Sequence, residues 1–251
     1  MAPANTGKVR VRIEGAKAVP EPELRAVLCI DKPGCAPGAS NREVLDRDVL
    51  YLQAALYDRG YVQSKVDAPK VSAAADGAIE VTFPIEENDR YKLGAIDVVE
   101  LDAANKPTAA LGGDATVRAF VRGKPGDWFS RAAFVEDLGK LRTHYRDAGY
   151  ARVEADPETE LDATAHTLKL RVPIRRGPLV TIEKVTVTPQ SAVQVVVAMA
   201  QRVGVGSGAR YAETPLVRLK QELAKGGVEV DVAQRDVPGH PDRVIVVVEV
   251  H

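Results

Sequence analysis

Residues 125–150 read "PGDWFSRAAFVEDLGKLRTHYRDAGY". Pro125, Gly126 and Asp127 are turn formers, and Ser130 is a candidate helix N-cap. Phe134, Leu138, Leu141 and Tyr145 recur at spacings of three and four, the apolar stripe of an amphipathic helix. Gly149 suits a left-handed C-cap, and Tyr150 opens the next extended segment. A related tail, "DRDVLYLQAALYDRGY", occupies residues 46–61. It ends Asp58-Arg59-Gly60-Tyr61 where the later copy ends Asp147-Ala148-Gly149-Tyr150, 89 residues on.

The register extends outward without gaps. Leu52 falls on Leu141, and Ile79, Val81 and Phe83 fall on Leu168, Leu170 and Val172. Pro84-Ile85 falls on Pro173-Ile174, and Leu93, Ile96 and Val98 fall on Ile182, Val185 and Val187. Such self-similarity signals a repeat architecture. A third, shorter copy, "PLVRLKQELAKGGVEVDVAQRD", sets Leu219 and Leu223 where Leu52 and Leu56 stand. There Gly227-Val228 replaces Gly-Tyr.

Each copy opens with an alternating strand ("KVRVRIEG", "KLGAIDVVEL", "LVTIEKVTV"), followed by a short helix, a loop, a longer helix and two strands. The predicted order is β-α-α-β-β, three times, an α+β fold. The boundaries expected are 8–90, 91–177 and 178–251. Each unit is expected to form a three-stranded mixed sheet with two helices on one face. Gly60 and Gly149 let the chain turn out of the helix at little steric cost, and Tyr61 and Tyr150 are expected to pack over the helix end, the alternative being a direct binding role for the tyrosines.

The 34 basic and 35 acidic residues nearly cancel, which argues against a nucleic-acid surface. No apolar run approaches the roughly 18 residues of a membrane-spanning helix. Met1-Ala-Pro-Ala-Asn is not a signal peptide, so the sequence reads as a cytosolic protein or as a mature region behind an added Met. His144, His166, His240 and His251 are scattered, and no pair has metal-ligand spacing. No nucleophile elbow occurs, and "GVGSG" at 204–208 lacks the Lys-Ser/Thr ending of a phosphate loop. No catalytic residue, metal site or cofactor is expected, and a small-molecule substrate is not indicated. Cys29 and Cys35, in "CIDKPGC", are open to a disulfide in an oxidising compartment or to two free thiols in a reducing one. Trp128 reads either as a hydrophobic staple beside Phe129 or as an exposed partner contact. The pairs Glu86-Glu87 and Arg175-Arg176 hold equivalent positions and read as solvated strand ends or as a charged contact between adjacent units.

"GKPGDWFSRAAFVEDLGKLRTHYRDAGYARV" and "VRIEGAKAVPEPELRAVL" resemble POTRA (polypeptide-transport-associated) domains, and the resemblance covers about residues 8–250. It implies the periplasmic part of a longer protein, ahead of a membrane β-barrel, as in BamA-like and TamA-like outer-membrane assembly factors. The partners it implies are unfolded outer-membrane proteins and accessory assembly proteins. It also implies capture of extended chains by β-augmentation on the second strand of each unit. Those strands are expected over Val62–Val71, Ala151–Leu161 and Val228–Asp236. The candidate positions are Val62, Ser64, Val66, Ala151, Val153, Ala155, Val228, Val230 and Val232. The alternative is a periplasmic structural module, divisome-type or spacer, that binds folded partners.

Overall fold

The computed structural model describes residues 9–30, 32, 41–227 and 229–251. Cys35 and Val228 lie outside the described residues, and Cys29 is disulfide-bonded. Among the described residues no helix is long and apolar enough to cross a membrane. The chain divides into two compact units. One comprises Met1–Ile96, Gly123–Val135 and Thr159–Leu170; the other comprises Asp97–Arg122, Glu136–Glu158 and Arg171–His251. The division runs through the middle repeat, which lends residues to both.

The first repeat runs β1 (Val9–Glu14), α1 (Glu21–Val27), α2 (Arg42–Tyr57), β2 (Lys65–Val66), β3 (Lys70–Ala73) and β4 (Ile79–Glu86). β4 is central: it pairs parallel with β1 from Val9↔Ile79 to Glu14↔Pro84, and antiparallel with β2 and β3. Alternation along β4 buries Val81, Phe83 and Ile85 against Leu24 and Leu28 of the first helix region and Leu52 and Leu56 of α2. Leu52 is fully buried, and truncation to Ala would cost about 2–5 kcal/mol.

The middle repeat runs β5 (Lys92–Leu101), β6 (Pro107–Thr108), α3 (Asp114–Phe120), α4 (Arg131–Asp147), β7 (Glu154–Ala155), β8 (Glu158–Asp162) and β9 (Thr167–Arg175). Its sheet order is β6-β5-β9-β7, with β8 also on β9. Ser130 caps α4 as its sequence predicts: the Ala133 N–H reaches Ser130 Oγ at 3.3 Å. The third repeat runs β10 (Thr181–Thr188), a 3-10 turn (Gln190–Ala192), α5 (Val193–Arg202), α6 (Glu213–Ala224), β11 (Val230–Val237) and β12 (His240–Val250). Its sheet order is β10-β12-β11, with Val244, Val246 and Val248 of the central strand buried.

The α+β architecture and the three β-α-α-β-β copies stand. Two details differ from the sequence reading. The middle sheet gains β6, a two-residue strand on β5, so it is four strands wide rather than three. The second strands of the first two repeats are shorter than Val62–Val71 and Ala151–Leu161 and are split in two. The breaks fall at Ala68-Pro69 and Asp156-Pro157, where a proline cannot donate to the ladder. β11 has no internal proline and runs unbroken for eight residues.

Candidate strand-binding edges

A Gly-Tyr turn precedes the second strand in each of the first two repeats. The Gly60 and Gly149 φ angles are 89° and 101°, the left-handed region that the C-cap reading requires. Tyr61 and Tyr150 N–H groups close the turns on Leu56 O and Tyr145 O, both at 3.1 Å. Both glycines also receive the next repeat. The Tyr91 N–H donates to Gly60 O at 2.8 Å, and the Val180 N–H donates to Gly149 O at 2.9 Å. A Cβ at Gly60 would stand 3.0 Å from Tyr91 O and 3.1 Å from Phe129 O. The motif therefore ends a helix and seats the following first strand at one point.

The opening strands of the later repeats are covered on their outer edge by the loop before the long helix. Phe129 N–H donates to Tyr91 O (3.1 Å), Leu93 N–H to Asp127 O (2.7 Å) and Gly126 N–H to Leu93 O (2.8 Å). The third repeat repeats this with Tyr211 N–H to Val180 O (2.9 Å), Ile182 N–H to Ala209 O (2.8 Å) and Gly208 N–H to Ile182 O (2.7 Å). Over these stretches β5 and β10 are paired, so the edges left open are those of the second strands.

Those second strands are not equivalent. In the first repeat the Gln53 side-chain amide acts as a surrogate strand. Its Nε2 donates to Ser64 O and Ser64 Oγ (both 2.9 Å), and its Oε1 accepts the Val66 N–H (3.1 Å). In the middle repeat Arg142, at the equivalent helix position, donates to Ala155 O at 2.8 Å. In the third repeat the equivalent residue is Lys220, and its ammonium goes to the Asp231 side chain at 3.0 Å. Among the described residues no helix side chain bonds the β11 backbone. The charge of Lys220 and its hydrogen bond hold the Asp231 carboxyl below its ordinary range, the hydrogen bond being the larger effect.

The candidate positions distribute accordingly. Val62 and Ala151 lie in turns, and Ser64 and Val153 lie just outside the strands. The Val153 N–H is spent on Tyr150 O at 3.1 Å. None of these four lies in an edge strand, contrary to the sequence expectation, because the Gly-Tyr turn takes up the segment; the Ser64 N–H likewise goes to Tyr61 O, at 3.0 Å. Val66 and Ala155 do lie in β2 and β7, buried against the helices. Val230 and Val232 lie in β11, the first buried and the second half-buried. Exposed edge backbone continues through β3, whose four residues are all exposed, and β8, "ETELD", with three acidic side chains.

β11 pairs with β12 from Val230↔Val250 onward, and the His251 N–H donates to Glu229 O at 2.9 Å. Parity then turns the main-chain groups of Val232 and Gln234 away from β12, toward the open edge. Between α6 and β11 lies a groove of ≈ 540 Å³, lined by Tyr211, Leu216, Val217, Ala224, Val232 and Gln234 among others. It offers apolar contact beside an open row of backbone donors and acceptors. Burial, and secondarily the nearby Glu213 carboxylate, pushes the Tyr211 phenol up to about 12.

The charged pairs close turns within their own repeats, not a contact between repeats. Glu87 is buried and accepts the N–H groups of Lys17 (2.8 Å), Ala18 (2.8 Å) and Val19 (2.9 Å). Arg176 pairs with buried Glu100 and donates to Ala109 O at 2.8 Å. Glu100 also accepts the Tyr145 hydroxyl at 2.7 Å, and burial first, then this bond, raises the Tyr145 phenol far above its ordinary range. Of the aromatic pair at α4, Phe129 is buried and Trp128 is exposed. Gln53, Arg142 and Lys220 were not legible as edge-setting residues, because each is a helix residue whose reach depends on the strand beside it.

The POTRA profile, described as "Surface antigen variable number repeat", matches residues 9–88 and 111–177. The outer membrane protein assembly factor BamA of Nitratidesulfovibrio vulgaris is 30% identical over 187 residues, 71% of this chain. The match spans 22% of that protein's length. The crystal structure of POTRA3-5 of Haemophilus influenzae BamA superposes with a TM-score of 0.76 over 97% of this chain and 95% of that one, at 16% identity, a likeness of fold. With a family profile covering more than half of its residues and the same three-sheet fold in that crystal structure, the chain belongs to the POTRA family.

Proposed function

We propose that the chain is the periplasmic client- and partner-binding region of an outer-membrane β-barrel assembly or translocation protein. Its working units are residues 8–90, 91–177 and 178–251. Its partners are unfolded outer-membrane proteins and accessory assembly proteins, and a membrane β-barrel follows it in the full-length protein. The role is binding, with no chemical step. The kinship to BamA supports this setting. Within it, β11 is the edge on which extended segments are captured by β-augmentation. One observation carries that choice: β11 is a single eight-residue strand whose backbone, among the described residues, no helix side chain bonds, whereas helix side chains bond the main chain at Ser64, Val66 and Ala155.

The test is a proline at an outward N–H. Gln234→Pro removes a donor that β12 does not use, so the fold tolerates it. Binding of a labelled peptide from an unfolded barrel protein is expected to weaken at least about tenfold, while Gln234→Ala binds as the parent does. Equal binding by Gln234→Pro with the fold retained would show that β11 is not the edge.

A further inference from the structure

Tyr91 is buried at the head of β5, so strand alternation turns its neighbours Arg90 and Lys92 to the other side. There they meet Trp128, which bridges to Lys92. The Arg90 guanidinium carbon lies 4.3 Å from the centre of the indole ring, and Lys92 Nζ lies 4.9 Å from it. Trp128 nevertheless remains 47% exposed. Its flanking bonds, Phe129 N–H to Tyr91 O and Leu93 N–H to Asp127 O, turn its own backbone groups away from β5.

Two cations share one ring, and among the described residues neither has a carboxylate partner; Arg90 Nε is anchored on Arg59 O at 2.6 Å. Three acids, Asp127, Asp89 and Glu23, make contacts with other groups. Asp127 accepts the Lys124 N–H at 2.9 Å, Asp89 sits 3.7 Å from His166, and Glu23 pairs with Arg59 at 2.6 Å. The fold does not require this cluster. In the third repeat the same positions are Leu179, Thr181 and Arg210, and the loop makes the same backbone bonds. An unneutralised pair of cations on an exposed indole is suited to an anion, and cation–π contact strengthens as water is excluded.

We propose that Arg90, Lys92 and Trp128 form a docking site for an acidic, extended segment of a partner protein. The segment's main chain pairs with the outward backbone of Trp128, its carboxylates meet Arg90 and Lys92, and an apolar side chain packs on the indole edge. The outward main-chain groups favour a peptide over a lipid headgroup, which has no complementary backbone. The site is separate from β11, so its failure would leave capture at that edge untouched.

Trp128 is the sole tryptophan, so its emission reports the site directly. The probes are a synthetic peptide alternating Asp and Val, the same peptide with Lys for Asp, and phosphatidylglycerol vesicles. The acidic peptide is expected to shift the emission saturably, with affinity falling about tenfold as salt rises from about 50 mM to about 300 mM. The Arg90→Gln, Lys92→Gln double variant, its fold checked by circular dichroism, should lose about tenfold in affinity. The Lys peptide should give no shift on the parent chain, which keeps the proposal testable if the variant does not fold. A shift with both peptides, with neither, or with vesicles alone would overturn it.

Discussion

Gly60 and Gly149 share a conformation but not a neighbourhood. At Gly60 an added Cβ meets the backbone oxygens of Tyr91 and Phe129; at Gly149 it meets the Arg210 side chain and Leu179 Cδ2. Backbone cannot give way as a flexible side chain can. Gly60→Ala is therefore expected to lower stability by about 2–3 kcal/mol and Gly149→Ala by about 1–2 kcal/mol, read by chemical denaturation. The positive φ was legible from Gly-Tyr at a helix end, but the close approach was not, because its other side comes from Tyr91 and Phe129. Glu87 is a second such case: as a strand-end acid it looks solvated, yet it holds three backbone N–H groups. Glu87→Ala should cost at least about 2 kcal/mol in the same measurement, and Glu87→Gln less. Tyr211 gives a pH signature. Its phenol titrates near 10 unfolded and about 12 folded, so between those values the unfolded state loses its proton first and stability falls as pH rises. Tyr211→Phe should flatten that alkaline limb in urea melts at pH 10 to 12.

At the scale of elements, prolines decide how much edge each repeat offers. Pro69 and Pro157 split the second strands, and their absence within β11 leaves it whole. That difference is legible in the sequence, in the prolines at 69 and 157. Helix capping shows a different kind of dependence. α4 has Ser130 at its start, but α6 begins after Ala212, which has no side chain to cap it. Asp147, at the end of α4, supplies the cap, accepting the Thr214 N–H at 2.7 Å and its hydroxyl at 2.6 Å. Arg146 adds an ion pair to Glu213 at 2.7 Å. Among the described residues, one oxygen of Asp58, the counterpart of Asp147, has no hydrogen-bond partner. Asp147→Ala is expected to speed amide exchange in the first turn of α6 by roughly fivefold, the worth of one N-cap. Unchanged exchange there would show that α6 starts without help from α4.

At the scale of the molecule, the repeat was legible because one register aligned helix ends, central strands and the next opening strand together. The α+β class and the order β-α-α-β-β followed from it. The edge that distinguishes one repeat from another was not legible. It turns on whether the residue at one helix position is Gln53, Arg142 or Lys220, and on whether that side chain bonds the main chain or another side chain. The most direct measurement is a crosslinking scan along β3, β8 and β11 with an unfolded outer-membrane barrel protein as bait. Crosslinks are expected to alternate along β11, strongest near Val232 and Gln234, with β3 and β8 weak. Crosslinks concentrated on β3 or β8, or none on any strand while the fold is intact, would contradict it.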